Sequence, residues 1–160
     1  MAEVQGDEVG ETPTLRTILK FPQQPHGMSY IGALIIPRNS FSFLIKVCCA
    51  EQGTTGVRDN VVFARLHLDA TPAFDPEDPL PGWFQDPYDA TFKAPILRNR
   101  SDDEEWDVLF PQHPLSRVRY YMAEIKRTIQ LDESVRHSEP FDGPGAKASR
   151  KGWWGRLTGR

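Results

Sequence analysis

The sequence predicts an α+β domain: a small antiparallel sheet with about three helices packed on it, a long loop rich in proline and aromatic residues, and disordered termini. Three observations predict this class. Residues 41–50 alternate with the two-residue period of a strand that buries one face. A Gly-Thr-Thr-Gly loop occupies 53–56, and a helical apolar stripe begins at Leu115. Strands that precede helices in this way are typical of α+β proteins.

Apolar patterns mark three strands in the first third of the chain. Residues 15–21 alternate weakly and are interpreted as a short edge strand. Residues 30–36 form a continuous apolar run, which predicts a buried strand. Residues 37–40 supply turn chemistry, so the strands at 30–36 and 41–51 are expected to form a hairpin with a four-residue connection.

Helix signals follow. Segment 57–69 fits both a helix and a strand, and the Gly/Thr entry favours the helix. Ser101 and Glu104 have the spacing of a capping box, which predicts a short helix that ends before Pro111. The last helix is expected to begin at Pro114, and its apolar stripe comprises Leu115, Val118, Met122, Ile125 and Ile129.

Composition divides the chain into three parts. Residues 1–13 are acidic without periodicity and are interpreted as a disordered leader. Residues 14–142 form a single α+β domain, which is long enough to bury a core. Within it, residues 71–100 carry six prolines among aromatic residues, which predicts a packed loop over the core. Residues 143–160 are expected to form a flexible basic tail containing tryptophan.

Charge is distributed unevenly. The formal net charge is −3, and because residues 143–160 hold five cations and no acid, residues 1–142 carry −8. Such a body argues against nucleic acid as the main partner. The adjacent Cys48 and Cys49 are poorly placed for a disulfide, which predicts two reduced thiols on opposite faces of a strand. Without a signal peptide or a long apolar run, the expected location is cytoplasmic, with peripheral association at the inner face of a membrane as an alternative.

One candidate site lies between the predicted strand and helix. Amides at a helix N-terminus, two hydroxyls and a guanidinium would together bind an anion such as phosphate. The alternative is structural: the glycines turn the chain, one threonine caps the helix, and the arginine lies at the surface or pairs with Asp59. The loop lacks the lysine and the spacing of a P-loop. The candidate anion-binding residues are Thr54, Thr55, Gly56 and Arg58.

A second candidate combines the tail and the aromatic loop. Paired tryptophans among cations are typical of segments that contact an anionic membrane surface, an acidic groove on a protein or single-stranded nucleic acid. Alternatively, the tryptophans fold back over an edge of the core. The candidate contact residues are Lys147, Arg150, Lys151, Trp153, Trp154, Arg156, Trp83, Phe84 and Tyr88.

Catalytic and metal signatures are absent from the sequence. It contains no HExxH, no EF-hand loop and no GxSxG, so no catalytic residue, metal or cofactor is predicted. The leading hypothesis is a non-catalytic cytoplasmic binding or adaptor protein that engages a protein partner, with the tail adding a membrane or partner contact. The alternative is a ligand-binding or enzymatic domain that uses the anion pocket. The sequence specifies no oligomeric state.

Overall fold

The computed structural model describes residues 3–67, 80, 82–84, 86, 89, 91–92 and 98–141. Four strands form one antiparallel sheet in the order β1-β2-β3-β4. The strands are β1 (Glu3–Val9), β2 (Thr12–Pro22), β3 (Met28–Pro37) and β4 (Ser42–Ala50). The helices are α1 (Val57–His67), α2 (Pro114–Thr128) and α3 (Glu133–Arg136), and two 3-10 helices span Arg100–Asp102 and Glu104–Trp106. The predicted α+β class is confirmed.

Strand β1 contradicts the predicted disordered leader. Glu3 to Val9 pair with β2 in an antiparallel register. The strand has no strong apolar period, and its acidic side chains find partners on helix α2 instead: Glu3 pairs with Arg119 and Asp7 with Lys126. These partners lie more than a hundred residues away in sequence, so local periodicity could not indicate the strand.

The other strands were predicted in part. Strand β2 was expected to be a short edge strand, and this is wrong: it has 11 residues and lies between β1 and β3. The buried strand β3, its four-residue connection to β4 and the helix α1 are confirmed. Cys48 is exposed and Cys49 is buried, as their alternation predicts. Phe43 shares the face of the buried Cys49 by alternation, but it is 45% exposed because it lies near the end of the sheet.

Helix α2 packs on one face of the sheet, which we call the inner face. Its side chains Leu115, Val118 and Met122 are buried against residues of the sheet such as Ile18 and Leu34. The predicted last helix and its stripe are therefore confirmed. The approach at Gly32 of β3 is close: a Cβ atom there would lie 2.7 Å from Val118 Cγ1 and 2.8 Å from Met122 Cγ.

The helix predicted after Ser101 is replaced by two 3-10 helices. The capping box is formed by Asn99 and Asp102 rather than by Ser101 and Glu104. Three successive carbonyls at 101–103 accept hydrogen bonds from arginine side chains of α1 and α2. An α-helix needs such carbonyls for amides four residues further along, so these contacts favour the shorter turns.

A second apolar cluster connects α1 to the segment around residue 83. Val62 and Trp83 are buried there together with Trp106. The ring of Phe63 packs edge-on against Trp83 with centroids 5.1 Å apart. At its described positions, the proline-rich segment therefore packs on the core through Trp83.

Candidate functional site

The predicted anion loop is held by a carboxylate of its own chain. Gly53 and Gly56 both adopt positive φ, at 66° and 71°, and turn the chain from β4 into α1. Glu51 Oε1 accepts the N–H of Gly56 at 2.9 Å, and Glu51 Oε2 accepts the N–H of Met28 at 2.8 Å. An anion at this loop would meet the Glu51 carboxylate, so the electrostatics oppose the predicted site.

Arg58 is not available to a ligand. Its side chain is 1% exposed. Nε donates to the carbonyl of Ser101 at 2.6 Å, Nη2 donates to the carbonyl of Asp103 at 2.9 Å, and Nη1 donates to both Asp107 Oδ1 and Ser116 Oγ at 2.8 Å. The prediction that Arg58 supplies the cation of an anion pocket is therefore wrong, because its donors are committed inside the fold.

The contacts of Arg58 belong to a larger buried charge network. Asp107 also accepts two hydrogen bonds from Nη1 of Arg119, at 2.9 and 3.1 Å, and Arg119 pairs with Glu3 of β1. Burial alone would lower the pKa of Arg119, but Glu3 and Asp107 outweigh burial and raise it. The network joins β1, α1, α2 and the 3-10 segment, which is a structural role.

A second polar cluster lies deeper on the inner face. Lys20 Nζ is 2.9 and 3.1 Å from the two carboxylate oxygens of Asp102, and the Tyr30 hydroxyl is 3.4 Å from Oδ1. Burial and the nearby carboxylate of Asp102 raise the pKa of Tyr30 above its ordinary value. Tyr30 therefore stays protonated and donates to the carboxylate.

A groove of about 510 Å³ opens between the β4–α1 loop and residues 109–114, and its lining includes Thr54 as well as part of Arg58. His113 is the N-cap residue of helix α2. Its Nδ1 accepts the N–H of Leu115 at 3.3 Å, and its Nε2 lies 3.7 Å from Glu51 Oε1. Burial first, and then the charge of Arg58, lower the pKa of His113. The positive end of the α2 dipole favours the neutral imidazole in the same direction. The sequence does not indicate that Glu51 holds the loop and lies beside His113, because the two residues come together only in the folded chain.

The opposite face of the sheet, which we call the outer face, is largely apolar. By register it carries Val4, Gly6 and Glu8 of β1, Pro13, Leu15, Thr17, Leu19 and Phe21 of β2, Ser29, Ile31, Ala33, Ile35 and Pro37 of β3, and Ser42, Leu44, Lys46, Cys48 and Ala50 of β4. None of them belongs to either apolar cluster of the described residues. Leu44 is 50% exposed and Phe21 is 43% exposed. Since α2 packs on the inner face, the apolar side chains of this outer face form a surface that is continuous across β2, β3 and β4.

The remaining candidate residues separate into described and undescribed positions. Trp83 is buried at 4% exposure and Phe84 is 48% exposed, so only Phe84 of this pair offers a contact surface. Tyr88 and all the tail candidates from Lys147 to Arg156 lie outside the described residues. Within the described ranges, no helix is long and apolar enough to cross a bilayer, and no cluster of three or more His, Cys, Asp or Glu side chains is placed to hold a metal ion.

Comparisons of the chain with known proteins do not assign it to a family. No family model matches the chain, and neither curated proteins nor solved structures gave a match.

Proposed function

We propose that this protein is a non-catalytic cytoplasmic binding or adaptor protein that engages a protein partner through the outer face of its sheet. The observation that carries the proposal is the one-sided packing of the sheet. Helix α2 covers the inner face, whereas apolar side chains of the outer face, such as Leu44, remain exposed among the described residues. Large contiguous apolar patches on soluble proteins are typical of interaction surfaces.

The shape and charge of the outer face favour a protein over a small ligand. Small molecules bind in concave pockets, whereas a sheet face is broad and gently twisted. The charged residues of the outer face are Glu8 and Lys46, and each lies on an edge strand of the sheet. Depletion of charge at the centre is what distinguishes the core of a protein interface from the rest of a surface.

The buried charges support a binding role over a catalytic one. Arg58, Arg119 and Asp102 are each engaged by several partners within the fold. His113 caps helix α2 through Nδ1 and rests edge-on against Tyr30, with ring centroids 5.5 Å apart. Groups that are committed in this way stabilise the domain and are not free to move protons to a substrate.

The basic tail is the second part of the proposal. Trp153 and Trp154 would insert at the headgroup level of an anionic membrane while the flanking cations meet the lipid phosphates. Replacing both tryptophans with alanine should reduce cosedimentation with vesicles that contain phosphatidylserine and leave the Tm unchanged. Neutral phosphatidylcholine vesicles are the control. Equal binding to both kinds of vesicle would contradict recognition of anionic lipid, and binding to neither would restrict the tail to a protein contact.

The outer face is tested with a pair of matched substitutions. Leu44 on the outer face and Leu109 on the helical side are 50% and 52% exposed. A partner captured from a lysate of the native host would be identified, purified and titrated against the purified chain. We expect Leu44→Asp to weaken binding at least about tenfold, which corresponds to about 1.4 kcal/mol, and Leu109→Asp to leave it unchanged. The reverse pattern would place the partner on the helical side and contradict the proposal.

A further inference from the structure

We propose that the partner on the outer face is a second copy of this chain, so that two sheets pack face to face in a symmetric homodimer. The inference rests on the proposed function because it assigns an occupant to the same surface. Most oligomers of soluble proteins are two-fold symmetric, and a two-fold interface brings one patch against itself. The outer face suits such pairing because its two central strands, β2 and β3, present apolar side chains with no charged residue.

The composition of the outer face resembles that of a homodimer interface. On the two central strands it presents Leu15, Leu19, Ile31 and Ile35 with no charged residue between them. Obligate homodimer interfaces are more apolar than transient ones and resemble a protein core that has been divided in two. Two sheets that pack in this way would interdigitate about 10 Å apart, as in a β-sandwich.

The size of the outer face is also adequate. Four strands at a spacing of ~4.8 Å and about nine residues at ~3.3 Å each give a surface of roughly 19 by 30 Å, on the order of 570 Å² in projection. Protruding side chains make the accessible area larger than the projection. A standard interface buries about 800 Å² on each partner, so a second sheet would use most of the face.

Neither Lys46 nor Glu8 prevents this arrangement. Lys46 lies on β4 and Glu8 on β1, which are the two edge strands of the sheet. A lysine stem can lie along an apolar surface while its ammonium group reaches water beyond the edge. Charge at the rim of an interface is common, and it also reduces open-ended pairing of edge strands.

The tail of the same chain fits the outer face less well. Residues 143–160 carry five cations and offer Trp153, Trp154 and Leu157 as large apolar side chains. Among the described residues, the outer face has one carboxylate, that of Glu8, which would pair with only one of those five cations. A segment with three large apolar side chains would also leave most of a four-stranded surface in water.

The test is sedimentation equilibrium of the full chain over roughly 1 to 100 μM, a range that detects micromolar association. We expect a mass of about 36 kDa at the upper end, twice the 18.2 kDa of one chain. Leu44→Asp and Phe21→Asp should each shift the mass to that of the monomer, whereas Leu109→Asp should remain dimeric. Circular dichroism would establish that each variant is folded.

Alkylation of Cys48 gives a second measurement that needs no substitution. Cys48 is exposed on the outer face, whereas Cys49 is buried and burial raises the pKa of its thiol. The alkylation rate of Cys48 should fall severalfold as the protein concentration rises through the dimerisation range, because the second sheet covers it. A rate that is independent of concentration would contradict a face-to-face dimer.

Each outcome separates the homodimer from its alternatives. A monomer at every concentration, or a dimer that survives both outer-face substitutions, would overturn the inference. A full chain that is monomeric while a chain truncated after Gly143 dimerises would instead assign the face to the tail. If the chain is monomeric but loses an identified protein partner on Leu44→Asp, the inference fails and the proposed function stands. If Leu44→Asp changes neither the self-association of the chain nor the binding of another protein, the inference and the proposed function both fail.

Discussion

Lys20 and Asp102 form an ion pair inside the protein, with Lys20 Nζ 2.9 Å from Asp102 Oδ2 and only 4% and 1% of their side-chain surfaces exposed. The two residues are 82 positions apart in the chain. The N–H of Asn99 donates to the same carboxylate at 3.0 Å. Asp102 therefore connects β2 to the 3-10 segment and lies on the inner face beside Tyr30.

Removing the negative member of this pair should be costly. Asp102→Asn leaves the ammonium of Lys20 buried without its counterion, and breaking a buried pair in this way lowers the free energy of unfolding by about 3 to 5 kcal/mol. Urea denaturation followed by circular dichroism measures the change. Glu124→Gln, which removes an exposed partner of Arg127, is the matched control and should have no measurable effect. Equal stability of the two variants would show that Lys20 finds other compensation.

Arg58 should behave as a structural residue and not as a ligand-binding one. Arg58→Lys removes the fork of donors that reaches Ser101, Asp103 and Asp107, so the Tm should fall even though the charge is retained. Phosphate should not raise the Tm of the wild-type chain, because the donors of Arg58 are committed within the fold and the Glu51 carboxylate holds the loop. Arg117→Lys, at an exposed position of α2, is the control and should leave the Tm unchanged. A phosphate-dependent rise in Tm that disappears in Arg58→Lys would restore the anion pocket.

Gly32 and Gly6 make a matched pair of strand glycines. A methyl group at Gly32 would collide with Val118 and Met122 of α2, whereas nothing lies within 4 Å of the corresponding position at Gly6. Gly32→Ala should lower the free energy of unfolding by about 1 to 3 kcal/mol through overpacking. Gly6→Ala should be neutral or slightly stabilising. If Met122→Ala partly rescues Gly32→Ala, the cost arises at the contact between helix and sheet.

Stability should depend on pH through His113. Burial, and secondly Arg58, lower the pKa of His113 in the folded chain below the ordinary value of 6.5, although Glu51, Asp59 and Asp102 oppose the shift. The unfolded chain therefore binds the proton first as the pH falls. The contribution of His113 is complete above pH 6.5 and is lost as the pH falls toward the lower folded pKa.

Replacement of the imidazole tests this dependence. His113→Asn can still accept the amide hydrogen of Leu115, because asparagine is a good N-cap residue. The slope of Tm between pH 6.5 and 5 should therefore decrease in His113→Asn, while the Tm at pH 8 changes little. An unchanged slope would assign the pH dependence to other groups.

Local patterns were sufficient for much of the fold. The α+β class, strands β3 and β4, and helices α1 and α2 were predicted from period, turn residues and glycine positions. Each of these elements buries apolar residues that recur at a regular spacing within one short segment, as from Leu115 to Ile129 at the inner side of α2. The prediction that Cys48 and Cys49 lie on opposite faces follows from the same two-residue period.

Only the tertiary structure decided the elements that depend on distant charges. Strand β1 pairs its acidic residues with α2, and the 3-10 helices form where arginines of α1 and α2 occupy the carbonyls at 101–103. The prediction that Arg58 binds an anion was wrong because the groups that accept its hydrogen bonds lie in segments far away in sequence. The residues around Arg58 do not indicate them. The apolar outer face was likewise decided by packing: the alternation of β2 predicts two faces, but the position of α2 determines which one the helix covers.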